Sequence, residues 1–269
     1  MNAGLAERHA SVLYYDGDYP SADDPVNFDS TTVFQGIAHD VPRYLEMARE
    51  TGGPILELCC GSGRVLLPLA RAGYAVTGVD LSSELLDQLR RKLSGSETVR
   101  LVEQDITQLD LGSERFPLAI VAFNSLLCIP DFAAQRRALE AIARHLEPGG
   151  RLVMDLVNPL RLKIDGDPVA RPFFTRVNPH TGNTYTRFAM VDPFDEQHRQ
   201  RLHGWYDELD GEGRVTRRFY SLHWRPIFRH ELELMLETAG LSIESIEGGH
   251  QHEAYTAQSP RMLVQARRA

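Results

Sequence analysis

A glycine-containing turn with an acidic residue before it is the part of this sequence whose residue types suggest chemistry. The segment Glu57–Arg64 reads Glu-Leu-Cys-Cys-Gly-Ser-Gly-Arg and continues the apolar run Ile55–Leu58. Gly61 and Gly63 lack side chains, so a ligand can approach the main chain there. The carboxylate of Glu57 favours a ligand that carries a cationic amine. The segment predicts a ligand-binding turn, although an ordinary strand-to-helix turn that needs glycines would share the pattern.

A second acidic residue follows the next apolar run. Asp80 lies seventeen residues after Gly63, at the end of Val76–Val79, and Leu81 comes directly after it. A carboxylate at this position can accept two hydrogen bonds from the hydroxyls of a ribose. The alternative interpretation is that Asp80 caps the helix that follows.

Two further segments end apolar runs in the same way. Gln104-Asp105-Ile106 offers an acid that could face an adenine amino group and an apolar side chain that could cover the ring. Phe123-Asn124-Ser125 follows a nearly unbroken apolar run and is expected beside the first strand, at the reacting end of a bound ligand. The alternatives are a surface loop acid for Asp105 and a plain strand-to-helix connection for the second segment.

The elements that position these segments alternate between strand and helix. Apolar runs predict strands at 55–58, 75–79, 99–102, 118–123 and 151–157, and helical periods predict helices at 32–50, 65–72, 82–92 and 131–146. This alternation is typical of βαβ units, which build a parallel sheet. Because the carboxyl ends of parallel strands share one edge of the sheet, the four segments are expected to line one crevice.

The pattern changes after residue 160. Short strand-like runs at 185–191, 201–206 and 215–223 are separated by turn residues, which predicts an antiparallel insertion. A helix at 229–239 and strands at 241–247 and 262–267 then complete the sheet. The first thirty residues, rich in Asp, Tyr, Pro and Ser, favour an irregular arm or lid. The expected divisions are an arm at 1–31, a core at 32–159, an insertion at 160–225 and a completing segment at 226–269.

A nicotinamide dinucleotide is the obvious competitor for the ligand. Its usual motif is G-x-G-x-x-G, whereas here Gly61-x-Gly63 is followed at the third position by Leu66. An acid inside the strand, at Glu57, is a second departure from that motif. Both departures favour a nucleoside sulfonium ligand over a nicotinamide-dependent oxidoreductase, which stays open as an alternative function.

Together these segments resemble the class I methyltransferases that depend on S-adenosylmethionine (SAM). The resemblance covers residues 32–157 well and 226–269 more loosely, and Glu147-Pro148-Gly149-Gly150 matches that family's turn into its fifth strand. Cys59 stands where the family most often has its first glycine. The resemblance implies a Rossmann-like α/β fold with a seven-stranded, mostly parallel sheet, helices on both faces and an antiparallel insertion after strand five.

The resemblance also implies roles for individual residues. Glu57 would lie near the methionine amino group of SAM, Asp80 would bind the ribose hydroxyls, and Asp105 with Ile106 would hold the adenine. The layout is further similar to small-molecule N-methyltransferases, including amino-sugar N,N-dimethyltransferases and glycine N-methyltransferase-like enzymes. In that group an N-terminal tyrosine lies over the cofactor, which suggests Tyr15, although packing of the arm would equally explain this residue. The expected cofactor contacts are Tyr15, Glu57, Cys59, Gly61, Gly63, Asp80, Leu81, Gln104, Asp105, Ile106, Phe123, Asn124 and Ser125.

Methyl transfer requires little acid–base catalysis from the protein. A neutral amine acceptor needs no strong base, whereas a hydroxyl acceptor usually does. The candidate bases are His223, His250, His252 and Glu253, and a solvated or structural role is the more ordinary interpretation of each histidine. His250, His252 and Glu253 could be viewed as metal ligands, but no matching ligand cluster is visible in the sequence, so no metal is expected.

The amino-acid composition limits the kinds of partner that this protein is expected to have. The 269 residues carry a net charge of −8, which disfavours nucleic acid and anionic membranes. No apolar run approaches the roughly 18 residues of a membrane span. Three cysteines without CxxC spacing favour reduced thiols and a cytoplasmic location. A small-molecule acceptor and a homodimer formed through the insertion are expected, and a SAM-binding sensor or scaffold without catalysis is the alternative from another class.

Overall fold

The chain divides into two compact units in the computed structural model, which describes residues 3–21, 24, 26–27 and 37–269. The larger unit comprises His39–Leu162 and Pro226–Ala269, and the smaller comprises Lys163–Arg225 with the described part of Met1–Ala38. Within the described residues, no helix is long and apolar enough to cross a membrane.

Six helices and eleven strands are described. The helices are α1 (Ala3–Asp18), α2 (Ile37–Thr51), α3 (Leu66–Arg71), α4 (Ser83–Lys92), α5 (Phe132–Arg144) and α6 (Arg229–Thr238). The strands are β1 (Ile55–Leu58), β2 (Val76–Asp80), β3 (Val99–Glu103), β4 (Phe116–Val121), β5 (Leu146–Val157), β6 (Asp167–Val177), β7 (Thr184–Val191), β8 (Gln200–Leu209), β9 (Val215–Trp224), β10 (Leu241–Glu247) and β11 (Arg261–Arg268).

A seven-stranded sheet forms the centre of the larger unit. Its order is β10-β11-β5-β4-β1-β2-β3, and β11 pairs antiparallel with both of its neighbours while the remaining pairs are parallel. The four residues of β1 are all buried, as expected of a central parallel strand. The expected α/β fold with an antiparallel insertion after the fifth strand is confirmed.

Helices α4 and α5 begin within one residue of the positions that the sequence predicts. Ser82 caps α4 by accepting a hydrogen bond from the Leu85 amide at 3.2 Å, and Asp131 caps α5 by accepting from the Ala134 amide at 2.7 Å. Strand β5 starts at Leu146 rather than at 151, because the Glu-Pro-Gly-Gly turn joins it through a register shift against β4. Of the predicted helix at 32–50, the first five residues lie outside the described residues.

The smaller unit is a four-stranded antiparallel sheet, in the order β6-β7-β8-β9, with α1 packed on it. Tyr14 of α1 is fully buried, its ring 4.1 Å from that of Tyr206 and 4.8 Å from that of Tyr185. The expectation of an irregular arm is therefore wrong for residues 3–18, which are helical. Residues 1, 2, 22, 23, 25 and 28–31 of the expected arm lie outside the described residues, and its function as a lid stays a prediction.

Strand β6 was missed by the sequence patterns. Pro168 and Pro172 interrupt it, and its pairing with β7 shifts register twice, so the alternation of apolar and polar residues is lost. Proline is tolerated here because β6 is an edge strand, where an amide that faces away from the sheet needs no partner strand.

Candidate functional site

The carboxyl ends of β1 and β2 are joined by one carboxylate. Asp80 accepts a hydrogen bond from the Gly61 amide at 2.7 Å through Oδ2 and from the Ser82 amide at 2.9 Å through Oδ1. Asp80 therefore braces the glycine turn, while Ser82 supplies the side-chain cap of α4. The half-buried carboxylate keeps unused lone pairs for a ligand, and burial raises its pKa against the effect of these amides.

The turn itself has a backbone that excludes most side chains. Cys59, Gly61 and Gly63 have φ values of 56°, 53° and 90°, all in the left-handed range. A Cβ on Gly63 would overlap the side chain of Leu89 and lie 3.2 Å from Cγ of Leu67. Glycine is thus required at 63 by both conformation and space, whereas position 59 tolerates cysteine at a conformational cost.

Glu57 is buried at the base of this turn. Its Oε2 atom has no hydrogen-bond partner among the described residues. Burial raises the pKa of Glu57 to about 8; Arg64 opposes this rise, while Asp80 and Asp40 add to it. A neutral carboxyl group with an unused oxygen is suited to meeting a cationic ligand group, which would restore its charge.

The tips of β2 and β3 place apolar and polar groups side by side. Leu81 is 62% exposed, an unusual position for a leucine and one from which it could cover a ligand ring. The Gln104 amide donates to the Asp80 carbonyl at 3.0 Å, which ties the two tips together. Asp105 accepts from the Thr107 amide at 2.8 Å and so caps a short 3₁₀ turn that begins at the buried Ile106.

The tip of β4 is a left-handed turn. Phe123 and Asn124 have φ values of 45° and 65°, and Oγ of Ser125 donates to the Ala122 carbonyl at 2.7 Å. Because β4 pairs with β1, this turn follows the strand next to the one that carries Glu57. The strand order expected for these segments is thereby confirmed, while the part that each residue plays toward a cofactor stays a prediction.

A largely buried group of charged side chains and one tyrosine, which sequence patterns did not assemble, adjoins this turn. We call it the Asp155 cluster; its members are Asp40, Tyr44, Arg64, Asp155, His250 and Arg261. Arg64 pairs with Asp40 at 2.7 Å, and its guanidinium carbon lies 5.7 Å from the Phe123 ring centroid. A usable signal was present, because an aspartate inside the apolar, fully buried stretch of β5 needs a partner.

Asp155 is charged in spite of its burial. Burial alone would raise the pKa of its carboxyl group, but Arg261, with its Nε 2.7 Å from Oδ1, and His250, with its Nε2 3.5 Å from Oδ2, hold this pKa well below the usual range. Burial lowers the pKa of His250, yet the charge of Asp155 outweighs it and the net shift is upward.

Asp40, Asp155 and His250 could be considered as ligands of a metal ion. One ligand atom from each lies within 4.8 Å of the others. Both carboxylates already pair with a guanidinium group, however, and a divalent cation would be repelled by Arg64 and Arg261. These charges argue against a metal at this cluster.

The remaining candidate bases are exposed side chains. His252 and Glu253 are exposed; His252 lies 3.2 Å from Glu46, and Glu253 accepts from the Gln251 amide at 2.7 Å within its own loop. His223 is exposed on β9 and Tyr15 is half-buried on α1, so both belong to the smaller unit. Among the four candidate bases only His250 is buried.

Comparison with known proteins agrees with this arrangement. The family pattern of the methyltransferase domain matches residues 55–150, which include the glycine turn, Asp80 and the β4 tip. The cypemycin N-terminal methyltransferase of a Streptomyces species is 30% identical over 79% of this chain and 82% of its own.

Solved structures give the same fold. The CcbJ methyltransferase of Streptomyces caelestis is 25% identical, with a TM-score of 0.74 over 100% of both chains. An amino pentose methyltransferase of Micromonospora echinaspora, solved with SAM, is 24% identical, with a TM-score of 0.68 over 86% of this chain and 89% of its own. From its site and its relatives, the chain belongs to the S-adenosylmethionine-dependent methyltransferases.

Proposed function

We propose that the acceptor of this methyltransferase is an amine nitrogen on a small molecule. Two points support an amine over a hydroxyl. A relative that is 30% identical is an N-terminal methyltransferase by its name, and therefore acts on an amine. Three of the four candidate bases are also exposed, which suits an acceptor that needs no strong base.

The observation that carries the cofactor assignment is the Asp80 carboxylate bonded to the Gly61 amide. This bond places a carboxylate that can accept hydrogen bonds from a ribose beside Gly61, which has no side chain. Glu57 offers an unused buried oxygen to an ammonium group. We propose that Asp80 binds the ribose hydroxyls, that Glu57 meets the methionine ammonium group, and that Leu81 and Ile106 cover the adenine. Cys59, Gln104, Asp105, Phe123, Asn124 and Ser125 remain proposed contacts, as does Tyr15 on α1.

The chemistry of the step is simple. SAM supplies an electrophilic methyl group on a sulfonium, so the residues of the chain have to bind, orient and exclude water. The rigid left-handed turn at Phe123 and Asn124 is proposed to limit the orientations available at the reacting end. His250 is the proposed proton acceptor for a protonated amine when its imidazole is neutral, and the carboxylate of Asp155, 3.5 Å away, would stabilise the imidazolium that then forms.

Calorimetry and transfer of label test this proposal together. We expect SAM and adenosylhomocysteine to bind with dissociation constants in the micromolar range, about −8 kcal/mol, and to raise the melting temperature. With methyl-labelled SAM and a panel of amines and phenols, label should appear in amines. Binding of NAD without SAM would indicate an oxidoreductase, label in phenols alone would exclude the amine, and binding without transfer to any acceptor would favour a sensor or scaffold.

We also propose a homodimer that forms through the smaller unit. Phe188, Trp205 and Phe219 are paired across β7, β8 and β9 and lie on the sheet face opposite α1, with ring centroids 5.1 and 6.3 Å apart. Phe219 is 59% exposed. A contiguous row of aromatic rings, half-buried at Phe188 and Trp205 and exposed at Phe219, is typical of a surface that another protein covers.

Light scattering at tens of micromolar is the measurement for this assembly. We expect about twice the chain mass of 30.3 kDa, and we expect Phe219→Lys to shift the mass toward the monomer without lowering the melting temperature. Leu234→Lys on α6, at a residue that is 65% exposed, is the matched control and should stay dimeric. A monomer in the unmodified protein contradicts the proposal.

A cytoplasmic location is proposed on the state of the thiols. Cys59, Cys60 and Cys128 are all free in the structure. Proteins of oxidising compartments commonly pair their cysteines, whereas reduced thiols are typical of the cytoplasm. The proposal rests on this chemistry alone.

A further inference from the structure

The turn at the end of β4 is costly for the residues that form it. Phe123 and Asn124 are consecutive and neither is glycine, yet both have positive φ values, 45° and 65°. Left-handed conformations of this kind are unfavourable for most residues that carry a Cβ, for phenylalanine more than for asparagine, and they persist where the surroundings hold them in place. The holding contacts therefore identify the residues that set the shape of this turn.

Besides the bond that its carbonyl accepts from the Leu127 amide within the turn, Asn124 makes three hydrogen bonds to residues of β5 and β11. Its amide donates to the Asp155 carbonyl at 2.8 Å, and its Oδ1 accepts from the Val157 amide at 2.6 Å. The same oxygen accepts from Nη2 of Arg261 at 3.1 Å. Of these three bonds to neighbouring strands, two are made with the main chain of β5 and one with a side chain on β11.

Arg261 connects these contacts. Its Nε donates to Oδ1 of Asp155 at 2.7 Å while its Nη2 reaches Asn124, and its guanidinium carbon lies 5.1 Å from the Phe123 ring centroid. The side chains of Arg261 and Asp155 are 7% and 0% exposed. One buried guanidinium group thus contacts both strained residues and the strand that supports them.

The fork of the guanidinium group is what makes this arrangement possible. Arginine presents several N–H groups in fixed directions, so it can bond a carboxylate and an amide oxygen at once. A lysine would keep the charge next to Asp155, but its single ammonium group on a flexible stem would not fix the positions of Asn124 and Phe123 together.

We propose that Arg261, anchored by Asp155, is a positioning residue for methyl transfer: it holds the Phe123–Asn124 turn in the left-handed shape that aligns the reacting groups. The inference rests on the proposed function, in which this turn contacts the reacting end of the cofactor. Alignment errors act on the rate of the chemical step, and a displacement of 1 Å can cost about 100-fold. Cofactor affinity depends mainly on the contacts at β1 and β2, so it should change little.

The experiment compares Arg261→Lys with the unmodified enzyme. We expect kcat to fall roughly 10- to 100-fold, with the KM for SAM and the dissociation constant of adenosylhomocysteine within about threefold of the unmodified values. Arg267→Lys, on the same strand but exposed and paired with Glu244, is the matched control and should keep its kcat. Melting temperatures and circular dichroism establish that each variant is folded.

A double substitution tests whether Arg261 acts through the turn. Glycine adopts positive φ values without strain, so in an Asn124→Gly background the turn has less need of support. The further change Arg261→Lys should then lower kcat by less than it does alone, a non-additive result. If Arg261→Lys does not fold, Asp155→Asn gives a second test, because it weakens the anchor and leaves the guanidinium group in place; we expect the same fall in kcat.

Some outcomes would overturn the inference. An unchanged kcat in Arg261→Lys, additive effects in the double substitution, or equal losses of kcat and adenosylhomocysteine affinity would each reduce Arg261 to a structural residue. These outcomes are distinct from failure of the proposed function, in which the unmodified enzyme itself transfers no methyl group. In that case the inference falls with the proposal on which it rests.

Discussion

Replacing Gly63 by alanine should destabilise the protein by about 2–5 kcal/mol. A residue with a Cβ at a φ of 90° costs about 1–2 kcal/mol, and forcing that Cβ against the buried Leu89 side chain adds about 1–3 kcal/mol. Urea denaturation should show the loss as a lower midpoint with an unchanged slope. Cofactor affinity should fall as well, because the added methyl group moves the turn that Asp80 braces.

Gly73→Ala is the matched control for this experiment. Gly73 has a φ of 95°, close to that of Gly63, but a Cβ there would meet no heavy atom within 4 Å. The control should therefore lose only the conformational part, about 1–2 kcal/mol, and should bind SAM normally. Equal losses of stability in the two variants would show that the contact with Leu89 relaxes easily, and unchanged cofactor affinity in Gly63→Ala would remove the turn from the proposed binding site.

The edge of the sheet that holds the proposed site could be predicted, because the residues that define it lie close together in the sequence. The glycine turn and Asp80 lie within 25 residues of each other, and βαβ units place their strand ends side by side. The structure brings Asp80 onto the Gly61 amide, a contact finer than the predicted proximity. It also assigns the cap of α4 to Ser82, so the alternative interpretation of Asp80 as that cap is replaced by a brace between two strand ends.

Helix α1 could not be recognised from composition. Its polar and aromatic residues are typical of an irregular segment, and its buried acid, Asp18, is satisfied by side chains far along the chain. Asp18 accepts hydrogen bonds from Tyr185 at 2.9 Å, Tyr206 at 2.7 Å and Arg187 at 2.9 Å. A sequence window around residue 18 contains none of these partners, so it favours exposure for a residue that is in fact buried.

The Asp155 cluster shows the same limit on the larger unit. Asp155 and Arg261 are 106 residues apart in sequence, and Asn124 and Arg261 are 137 apart. The pairing of β11 with β5 brings them together, and that pairing was predicted only as the completion of a sheet, without a register. His250 was named as a candidate base from its residue type, but its burial beside Asp155 depends on this register.

Binding of the cofactor should release a proton from Glu57, which makes the affinity depend strongly on pH. In the free protein burial raises the pKa of Glu57 to about 8, so the carboxyl group is mostly neutral at pH 6. The proposed contact with an ammonium group favours the carboxylate and therefore lowers this pKa in the complex. By linkage, affinity then rises with pH across the range in which the free group still holds its proton.

The expected gain is about twentyfold in the affinity for adenosylhomocysteine between pH 6 and 7.5, provided that the pKa in the complex falls below 6. Calorimetry at pH 6.5 in two buffers with different ionisation enthalpies should report close to one proton released. Glu57→Gln keeps the shape of the side chain and cannot titrate, so its affinity should lose this slope.

His250 is a second group whose pKa is raised, and its neighbours from other elements are Asp155, Arg261, Asp40 and the ring of Tyr44. His250→Gln should keep the slope if Glu57 is its source. If the proton comes from His250 instead, His250→Gln should lose the slope and Glu57→Gln should keep it, because Asp155 raises the pKa of that imidazole in the free protein. If the affinity of Glu57→Gln still rises with pH, Glu57 does not contact the ammonium group of the cofactor. Its burial would then be a structural feature of β1.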